Sequence, residues 1–360
     1  MMAQITDYRK FWERNREFTG MNGGRRVPVD LYLGNEWICE HLNLDCVRFY
    51  TDYRYQQDAR RACTKITERE LGYSFGPMID FGVIMDASIY GGQPRFSETA
   101  PPVLTHAVEE PEEIDALIES VSASDPLKRG LIPQYFEWHS RIHDDHGVAL
   151  GYGAAIKGCA TMMGQILGIT NFLTWIITDP EPIRRLIDCW YDTSVRYLDA
   201  MRQATGVTLS VGWFGLYSDL TGMLSAGLYE EFIKDKEKAL YERYAAAPNA
   251  VRFYHADYHM LHQLAALKDI GVNRVNIDPY IDCRAILNVM PDVTIIGQIP
   301  PTDILLYGTP GQVRQVVKRD IEQAGPTGSL VLSTAGGVNA GTGFENLRAV
   351  CEAAEEFGYV

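Results

Sequence analysis

The sequence predicts an α/β protein with the fold of a (β/α)8 TIM barrel and an N-terminal helical extension. Short apolar runs alternate with helical stretches, most regularly over the last 150 residues, as in a parallel sheet. Several runs are almost continuously apolar, which is typical of strands buried on both faces. Roughly eight strand–helix units fit the length of the chain. We therefore expect residues 1–360 to form a single domain.

Strands are predicted where β-branched and aromatic residues cluster between turn formers. In chain order the candidates are VPVDLYL (27–33), CVRFYTD (46–52), VALGYGAA (148–155), VTLSVGWFG (207–215), AVRFYHAD (250–257), NRVNIDP (273–279), VTIIGQIP (293–300) and GSLVLSTAG (328–336).

Helix-start signals stand between several of these runs. Asp179 followed by Pro180 predicts an N-cap and a first helical turn, and Thr309 precedes a proline in the same way. Thr342 and Glu345 have the spacing of a capping box. The alternative fold is an open doubly wound sheet, but GYGAAIKG (151–158) has the wrong spacing for a nucleotide-binding GxGxxG loop.

Composition narrows the class of protein and its partners. The chain is 46% hydrophobic and 22% charged, which is ordinary for a globular protein. Its formal charge of −14 would repel nucleic acid. No apolar run approaches the ~20 residues of a membrane helix, and the N-terminus lacks a signal-peptide core, so we expect a cytoplasmic protein. The cysteines are scattered without a CxxC pair, which favours reduced thiols.

Polar and aromatic side chains at the carboxyl ends of the predicted strands are the candidate site residues, because barrel enzymes place their chemistry there. They are Asp30, Tyr152, Trp213, His255, Asp257, Asn276, Asp278 and Gln298, with Asp219 following in a loop.

His255 and Asp257 form the strongest candidate pair. They are two residues apart at a strand end, so both can face one cavity. Such a pair could hold a metal, act as acid and base, or only stabilise the barrel mouth by a hydrogen bond. Asp278, one strand along, could add an oxygen ligand. We expect His259 to start the next helix outside the site.

The stretch VRFYHADYH (251–259) has a near-copy in VRFYTDYRY (47–55). The similarity ends after about nine residues. We therefore attribute it to chance and not to a half-barrel duplication.

Four later stretches carry a family resemblance. TDPEPIRRLIDCWYD, TGMLSAGLYEEF, IIGQIPPTDILLYGTPGQV and GGVNAGTGFENLRAV are similar to successive motifs of the uroporphyrinogen decarboxylase superfamily. The match is clearest from about residue 150 to 360. RRVPVD and DASIYGGQPRFSETAPPV look more like its corrinoid-dependent methyltransferases, of the methanol and chloromethane type, than like its decarboxylases. The resemblance implies a (β/α)8 barrel.

The decarboxylase branch has an Arg-rich RQAGR signature that grips tetrapyrrole carboxylates. Here the equivalent region reads DLYLGNEW, with Asp30 and Glu36. These carboxylates would repel a polyacid. The FSD aspartate of that branch is not evident either, since the nearest stretch reads GVIMDAS. The resemblance therefore does not imply decarboxylation of uroporphyrinogen itself.

The methyltransferase branch binds zinc through His-x-Cys and a distant Cys. By resemblance, His255 matches the first ligand, Asp257 stands at the first Cys and Gly336 at the second. Two thiolates are absent, so zinc activation of a sulfur acceptor loses its basis. Imidazole and carboxylate, with Asp278 or Gln298, could bind zinc more weakly or work without metal. Cys283 should begin a helix and point away.

The leading hypothesis is transfer of a methyl group from a small methoxylated or methylated compound to a corrinoid carried by a partner protein. His255 and Asp257 would carry it, with Asp30, Tyr152, Trp213, Asn276, Asp278 and Gln298 lining the substrate. The alternatives are a decarboxylase of a smaller acid and a non-catalytic barrel that binds a small ligand. A homo-oligomer is compatible with each.

Overall fold

A computed structural model describes residues 5, 7–17, 26–98, 100–148, 150, 155–206 and 212–359. The described chain divides into two compact units. The first unit contains the described residues within 1–76, 259–265 and 273–360. The second unit contains those within 77–258 and 266–272. The single domain that the sequence predicts stays a prediction.

The α-helices of the described residues are α1 Tyr8–Glu17, α2 Asn35–Leu42, α3 Cys46–Thr51, α4 Tyr53–Leu71, α5 Ile114–Ser122, α6 Ile132–His146, α7 Cys159–Leu167, α8 Ile169–Thr178, α9 Pro180–Thr205, α10 Ala226–Phe232, α11 Lys234–Tyr244, α12 Leu264–Asp269, α13 Cys283–Val289, α14 Pro310–Ala324 and α15 Phe344–Phe357. The strands are β1 Pro94–Arg95, β2 Val103–Leu104, β3 Ala155–Lys157, β4 Trp213–Tyr217, β5 Val251–Ala256, β6 Arg274–Ile277, β7 Thr294–Ile299 and β8 Leu330–Thr334.

In the second unit, β3, β4 and β5 are parallel and pair in chain order. The register places Ala155 opposite Gly215, and Gly215 opposite Phe253. Long helices connect the strands, as parallel pairing requires. A separate short hairpin is formed by β1 and β2.

In the first unit, β6, β7 and β8 are also parallel and in chain order. The extended segment 26–33 runs beside β8 through parallel bridges from Val29 to Leu332 and from Leu33 to Val338. The continuous strand that the sequence predicts at 27–33 is met only in part, since Val29 and Leu33 form isolated bridges and Arg26, just before it, forms an antiparallel bridge to Tyr359. The helices α1–α4 supply the predicted N-terminal helical extension.

The strands predicted over 250–257, 273–279, 293–300 and 328–336 are confirmed as β5 to β8. The predictions over 148–155 and 207–215 are met only in part, since β3 begins at Ala155 and β4 at Trp213. Residues 149, 151–154 and 207–211 lie outside the described residues.

The strand predicted over 46–52 is wrong. VRFYTDYRY is helical across α3 and α4, whereas the similar VRFYHADYH forms β5. Two carboxylates cap the helical form: the side chain of Asp45, just before the stretch, accepts from the Arg48 N–H, and that of Asp52, within it, accepts from the Tyr55 N–H. These N-caps satisfy helix donors that a strand would pair with a neighbour.

Two predicted helix starts are confirmed and one is wrong. α9 begins at Pro180 after Asp179, and Thr309 forms a capping box with Gln312 at the start of α14. The capping box predicted at Thr342 does not form. α15 begins one residue later than expected because Gly343 is its N-cap, and Thr342 is buried with its carbonyl accepting from Trp37.

Within the described residues, no single helix has both the length and the apolar composition needed to cross a membrane; α7 and α8, bent by 107°, meet these criteria only as a pair. Every cysteine of the chain is a buried free thiol, as the scattered spacing predicts.

Replacing Asp45 with alanine should lower the free energy of unfolding by about 1 kcal/mol, because the first turn of α3 loses its N-cap acceptor. Urea denaturation measures the loss. Asp58, which is exposed on α4, is the matched control, and Asp58→Ala should change the stability by less than about 0.5 kcal/mol. Equal losses in both variants would contradict the capping role.

Candidate active site at the carboxyl ends of β3, β4 and β5

Three strands of the second unit bring one row of side chains together. The register places Lys157 beside Tyr217, and Tyr217 beside His255. Since side chains alternate between the two faces of a strand, residues paired in register face the same side. Lys157 and Tyr217 end β3 and β4, and His255 is next to last in β5. The row therefore lies at the carboxyl edge, where polar chemistry was predicted.

The two faces of β4 and β5 differ in burial. Phe214, Leu216 and Tyr254 are fully buried on one face. On the other face Tyr217 is 40% exposed, and the side chain of His255 keeps 16% of its surface in contact with solvent. Tyr217 and His255 are therefore the members of the row that contact solvent, whereas Lys157 is buried.

Two carboxylates lie close to the imidazole of His255. Its Nε2 lies 3.7 Å from Asp219 Oδ1 and 3.5 Å from Asp257 Oδ1. The backbone N–H of Asp257 donates to Asp219 Oδ1 at 2.9 Å, which ties the two segments together. The ring centroid of Tyr217 is 5.3 Å from that of His255. We call Asp219, His255 and Asp257 the His255 cluster.

The electrostatics of the His255 cluster act on Asp257. Loss of surrounding water raises the pKa of Asp257 above its ordinary value, and the negative charge of Asp219 raises it further. His255 opposes both effects and lowers the same pKa. The carboxyl group of Asp257 is therefore easier to protonate than a free aspartate, which suits a group that exchanges protons.

The His255 cluster fits a divalent cation. One ligand atom from each of its three residues lies within 4.8 Å of the others. Imidazole nitrogen and carboxylate oxygen are both zinc ligands, and three protein ligands leave a position for substrate. Cys283 is the first residue of α13 and is buried, so it begins a helix as the sequence predicts.

The predicted partners His255 and Asp257 are thus brought together, with Asp219 as a third member that the sequence placed only in the following loop. Asp219 begins a 3-10 turn, Asp219–Met223, directly after β4. A signal was available: it is the first carboxylate after a strand, and that strand is a neighbour of β5.

A buried ion pair adjoins the row. Lys157 Nζ lies 2.7 Å from Asp86 Oδ1, and the Lys157 N–H donates to Asp86 Oδ2 at 2.8 Å. Both side chains are about nine-tenths buried. Asp86 is the aspartate of GVIMDAS, the stretch in which the FSD motif of the decarboxylase branch is not evident. Sequence reasoning missed the pair because its members are 71 residues apart.

Trp213 is not at the strand end that the sequence predicts. It is the first residue of β4, which continues to Tyr217, so it lies at the amino end. Its ring stacks on Phe253, with centroids 5.8 Å apart, and leans over Gly215. The sequence does not reveal where β4 ends, because the aromatic and apolar residues continue beyond the predicted end at residue 215.

Asn276, Asp278 and Gln298 lie together in the first unit. The Asn276 amide donates to the carbonyls of Ile296 and Thr334, and its Oδ1 accepts from the Gly336 N–H. Gln298 donates to the carbonyls of Asp278 and Ile281. These amides link strands and loops, which accounts for their burial without a substrate.

The Asp278 carboxylate has partners of its own. Oδ2 lies 2.8 Å from His259 Nδ1, and Oδ1 accepts from the Tyr280 N–H. His259 precedes the 3-10 turn Leu261–Gln263, so the prediction that it starts the next helix is close but two residues early. His262 stacks on His259, with ring centroids 6.3 Å apart.

Asp30 lies in the extended segment beside β8, and its N–H donates to the carbonyl of Leu332. Burial raises the pKa of Asp30, and the nearby Arg274 opposes the rise. Tyr152 falls outside the described residues. The roles proposed for both residues stay predictions.

Gly336 has a physical reason to be glycine. Its φ is +93°, in the left-handed region that residues with a Cβ rarely adopt. A cysteine at this position would strain the backbone. The absence of the second thiolate, which departs from the family pattern, is therefore consistent with the local backbone.

Replacing Lys157 with methionine should destabilise the protein by about 3–5 kcal/mol, because Asp86 would be left as an unpaired buried charge. The double variant Asp86→Asn/Lys157→Met should recover most of that loss. Lys128→Met, which alters an exposed pair with Asp125, is the control and should be near neutral. Denaturation showing no recovery in the double variant would contradict the coupling.

The chain is similar to known proteins in sequence and in fold. The family model for "Uroporphyrinogen decarboxylase (URO-D)" matches residues 78–357. This span contains the His255 cluster, Lys157 and Asp86. The predicted resemblance is thereby confirmed.

Two relatives have methyltransferase names. The chain is 29% identical over 198 residues to a methylated-thiol–coenzyme M methyltransferase of Methanosarcina mazei, covering 54% of this chain and 50% of the relative. The match thus spans only half the length of that relative. The chain is also 21% identical over 286 residues to the methylcobamide:CoM methyltransferase MtbA of Methanosarcina acetivorans, covering 78% of this chain and 79% of the relative.

A solved structure described as a methyltransferase from Methanosarcina mazei has the same fold. The TM-score is 0.70 at 16% identity, over 98% of this chain and 99% of the other. Together with the family match, this likeness confirms the predicted (β/α)8 TIM-barrel fold.

Proposed function

Because the chain belongs to the uroporphyrinogen decarboxylase (URO-D) family, we propose that it is a methyltransferase that moves a methyl group from a small methoxylated or methylated compound to the corrinoid of a partner protein. One observation carries this proposal: His255 lies near two carboxylates at the carboxyl edge of β5, beside the partly exposed ring of Tyr217. The methyltransferase names of the two relatives support it.

Methyl transfer requires stabilisation of the departing heteroatom. When a methyl–oxygen or methyl–sulfur bond breaks, both bonding electrons stay on the heteroatom, which then requires a proton or a positive charge. His255 Nε2 can supply that proton, with Asp219 and Asp257 positioned to orient the ring and return a proton to it. The raised pKa of Asp257 suits the second role.

A metal is the other source of positive charge. His255, Asp219 and Asp257 would hold zinc, which when bound supplies Lewis-acid stabilisation of the departing heteroatom. The three protein ligands are harder than the thiolate set implied by the resemblance, so binding should be weaker and should favour oxygen over sulfur leaving groups.

The surroundings of the His255 cluster fit a large partner group. Tyr217, Met223 and Tyr258 are exposed. The ring of Tyr217 lies beside that of His255, Met223 ends the turn that Asp219 begins, and Tyr258 follows Asp257 in the chain. Together they offer apolar surface beside an acidic centre. A bound corrinoid supplies the nucleophile that takes the methyl group, and this surface would cover one side of its ring.

The negative charge of the His255 cluster disfavours decarboxylation of uroporphyrinogen. Asp219 and Asp257 are negative, and the buried cation of the row, Lys157, is already paired with Asp86. A substrate with many carboxylates would meet repulsion at the cluster. Decarboxylation of a smaller acid is the second candidate, since a single carboxylate would meet less repulsion at the cluster than a polyacid.

The test is an anaerobic assay of cob(I)alamin methylation with methoxybenzenes, methanol, methylated thiols and methylated amines. We expect turnover of at least one donor, and a loss of about 100-fold or more in kcat/KM in His255→Ala. His143→Ala, which alters an exposed histidine of α6, should leave the rate unchanged. Uroporphyrinogen should not be converted.

Two results would count against the proposal. One is equal activity in His255→Ala and His143→Ala. The other is release of CO2 from a small carboxylic acid by an enzyme that methylates no cobalamin with any donor, which would favour the decarboxylase instead.

A further inference from the structure

A cavity of about 430 Å³ in the second unit has no part in the chemistry above. Residues 88–89, 91–94 and 129–131 line it. They come from the 3-10 turn Ala87–Tyr90, the start of the hairpin of β1 and β2, and the loop before α6. None of them belongs to the His255 cluster or to its strand row. The volume is within the range of about 300–1,000 Å³ that is typical of small-molecule sites.

Hydrogen bonds hold the walls of this cavity in place. The Leu131 N–H donates to Ser88 Oγ at 2.9 Å, and that hydroxyl donates to the carbonyl of Met85 at 2.6 Å. The Gln93 N–H donates to Thr105 Oγ1 at 2.9 Å, and the Gln93 carbonyl accepts from the Thr105 N–H. The walls are therefore formed by the fold itself, so a ligand would not have to order them.

Two glycines let the backbone itself form part of the lining. A Cβ at Gly130, whose φ is +54°, would come within 2.1 Å of Ser88 Oγ. A Cβ at Gly92 would come within 2.4 Å of the carbonyl oxygen of Thr105. Side chains are thus excluded at both positions, and a ligand would meet main-chain groups there.

Arg129 is the charged side chain of the lining, and the protein fixes its position. Its Nε donates to the Ile89 carbonyl at 2.5 Å. Its Nη1 lies 3.1–3.3 Å from the carbonyl and hydroxyl oxygens of Ser120 and the hydroxyl oxygen of Ser124. Its Nη2 has no hydrogen-bond acceptor among the described residues. The guanidinium is therefore held by two of its nitrogens, and the third is left for a ligand.

The positive charge of Arg129 is also uncompensated. The chain has 47 acidic and 33 basic residues, yet no carboxylate in the described ranges forms an ion pair with Arg129. Across the same part of the chain, the N–H groups of Gly92 and Gly130 donate to no protein acceptor. Gly92 is buried, and a buried N–H without an acceptor is rare in proteins. The lining thus combines a positive charge with backbone donors that the described protein groups leave unused.

We propose that this cavity binds the phosphate group of a small phosphate ester. A carboxylate pairs best with two parallel N–H groups of one guanidinium. That pairing is not available, because Nε and Nη1 of Arg129 are committed to protein acceptors. Phosphate oxygens accept from separate donors, including backbone N–H groups, and Arg129 Nη2, Gly92 and Gly130 supply such donors. The cavity is larger than a phosphate group, which leaves room for the organic part of the ester.

Phosphate binding at Arg129 is independent of methyl transfer, because no residue of the cavity belongs to the His255 cluster. It can therefore be measured on the whole protein without an activity assay. Isothermal titration calorimetry with inorganic phosphate, glycerol 3-phosphate, glycerol and acetate, at constant ionic strength, is the measurement. We expect saturable binding of both phosphates, with a Kd of about 1 mM for glycerol 3-phosphate. Acetate should bind about tenfold or more weakly than inorganic phosphate, and glycerol should not bind.

Two variants of the lining test the role of charge. Arg129→Gln should weaken phosphate binding by about tenfold or more, because the free guanidinium nitrogen is lost. Since this change also removes the hydrogen bond to Ile89, Gln93→Glu is the second variant. Gln93 is exposed and lines the cavity, so a carboxylate there should repel phosphate and weaken binding by about fivefold or more while Arg129 stays in place.

Lys128→Gln is the matched control, because it removes an exposed positive charge next to Arg129 in the chain but outside the lining. It should change the Kd for phosphate by less than about twofold. Equal binding by wild type and both cavity variants would overturn the proposal. An equal loss in Lys128→Gln and Arg129→Gln would also overturn it, since phosphate would then be attracted only by general surface charge. Acetate that binds as tightly as phosphate would contradict the proposed class of ligand.

Discussion

In-register parallel pairing of β3, β4 and β5 is the constraint on which the candidate site depends. Backbone hydrogen bonds fix which residues stand side by side, and a shift of one residue would turn His255 toward the buried face. The same register brings Lys157 and Tyr217 into its row. Loops add the remaining groups, Asp219 after β4 and Asp257 after β5, at positions that the strand ends determine.

Local pattern was enough to predict much of this fold. Apolar runs bounded by turn formers located β5 to β8, because strands buried on both faces leave that signal whatever their neighbours are. The same reasoning failed at 46–52, where Asp45 and Asp52 cap helices in a segment that resembles β5. Nine similar residues thus adopt two structures, and the helical one has N-caps at Asp45 and Asp52.

The sequence predicts which side chains lie close together where their spacing carries the geometry. His255 and Asp257 are two residues apart, so their proximity follows from strand periodicity. Asp219, 38 residues from Asp257, reaches the cluster only through strand pairing. Asn276 and Gln298 lie at expected strand positions, yet their amides bond backbone carbonyls, which a list of polar strand ends cannot distinguish from a role in binding substrate.

The chemistry of the proposed site follows from what replaces the two family thiolates. An aspartate stands at the first position, and a glycine with a left-handed backbone stands at the second. Asp219 offers the third donor instead, from a turn that Ser218 and Thr221 anchor to β5. A metal held by such oxygen and nitrogen atoms, or a proton on His255, would each assist a departing oxygen. Both mechanisms require Asp219 and Asp257 to act together.

A double-mutant cycle on methyl transfer tests that requirement most directly. Single-turnover transfer to cob(I)alamin would be measured for wild type, Asp219→Asn, Asp257→Asn and the double variant. Residues that act as one unit lose most of their effect together, so the double variant should be no slower than the slower single variant within about threefold. Rate losses that multiply independently, or an Asp219→Asn variant as fast as wild type, would contradict the His255 cluster as the catalytic centre.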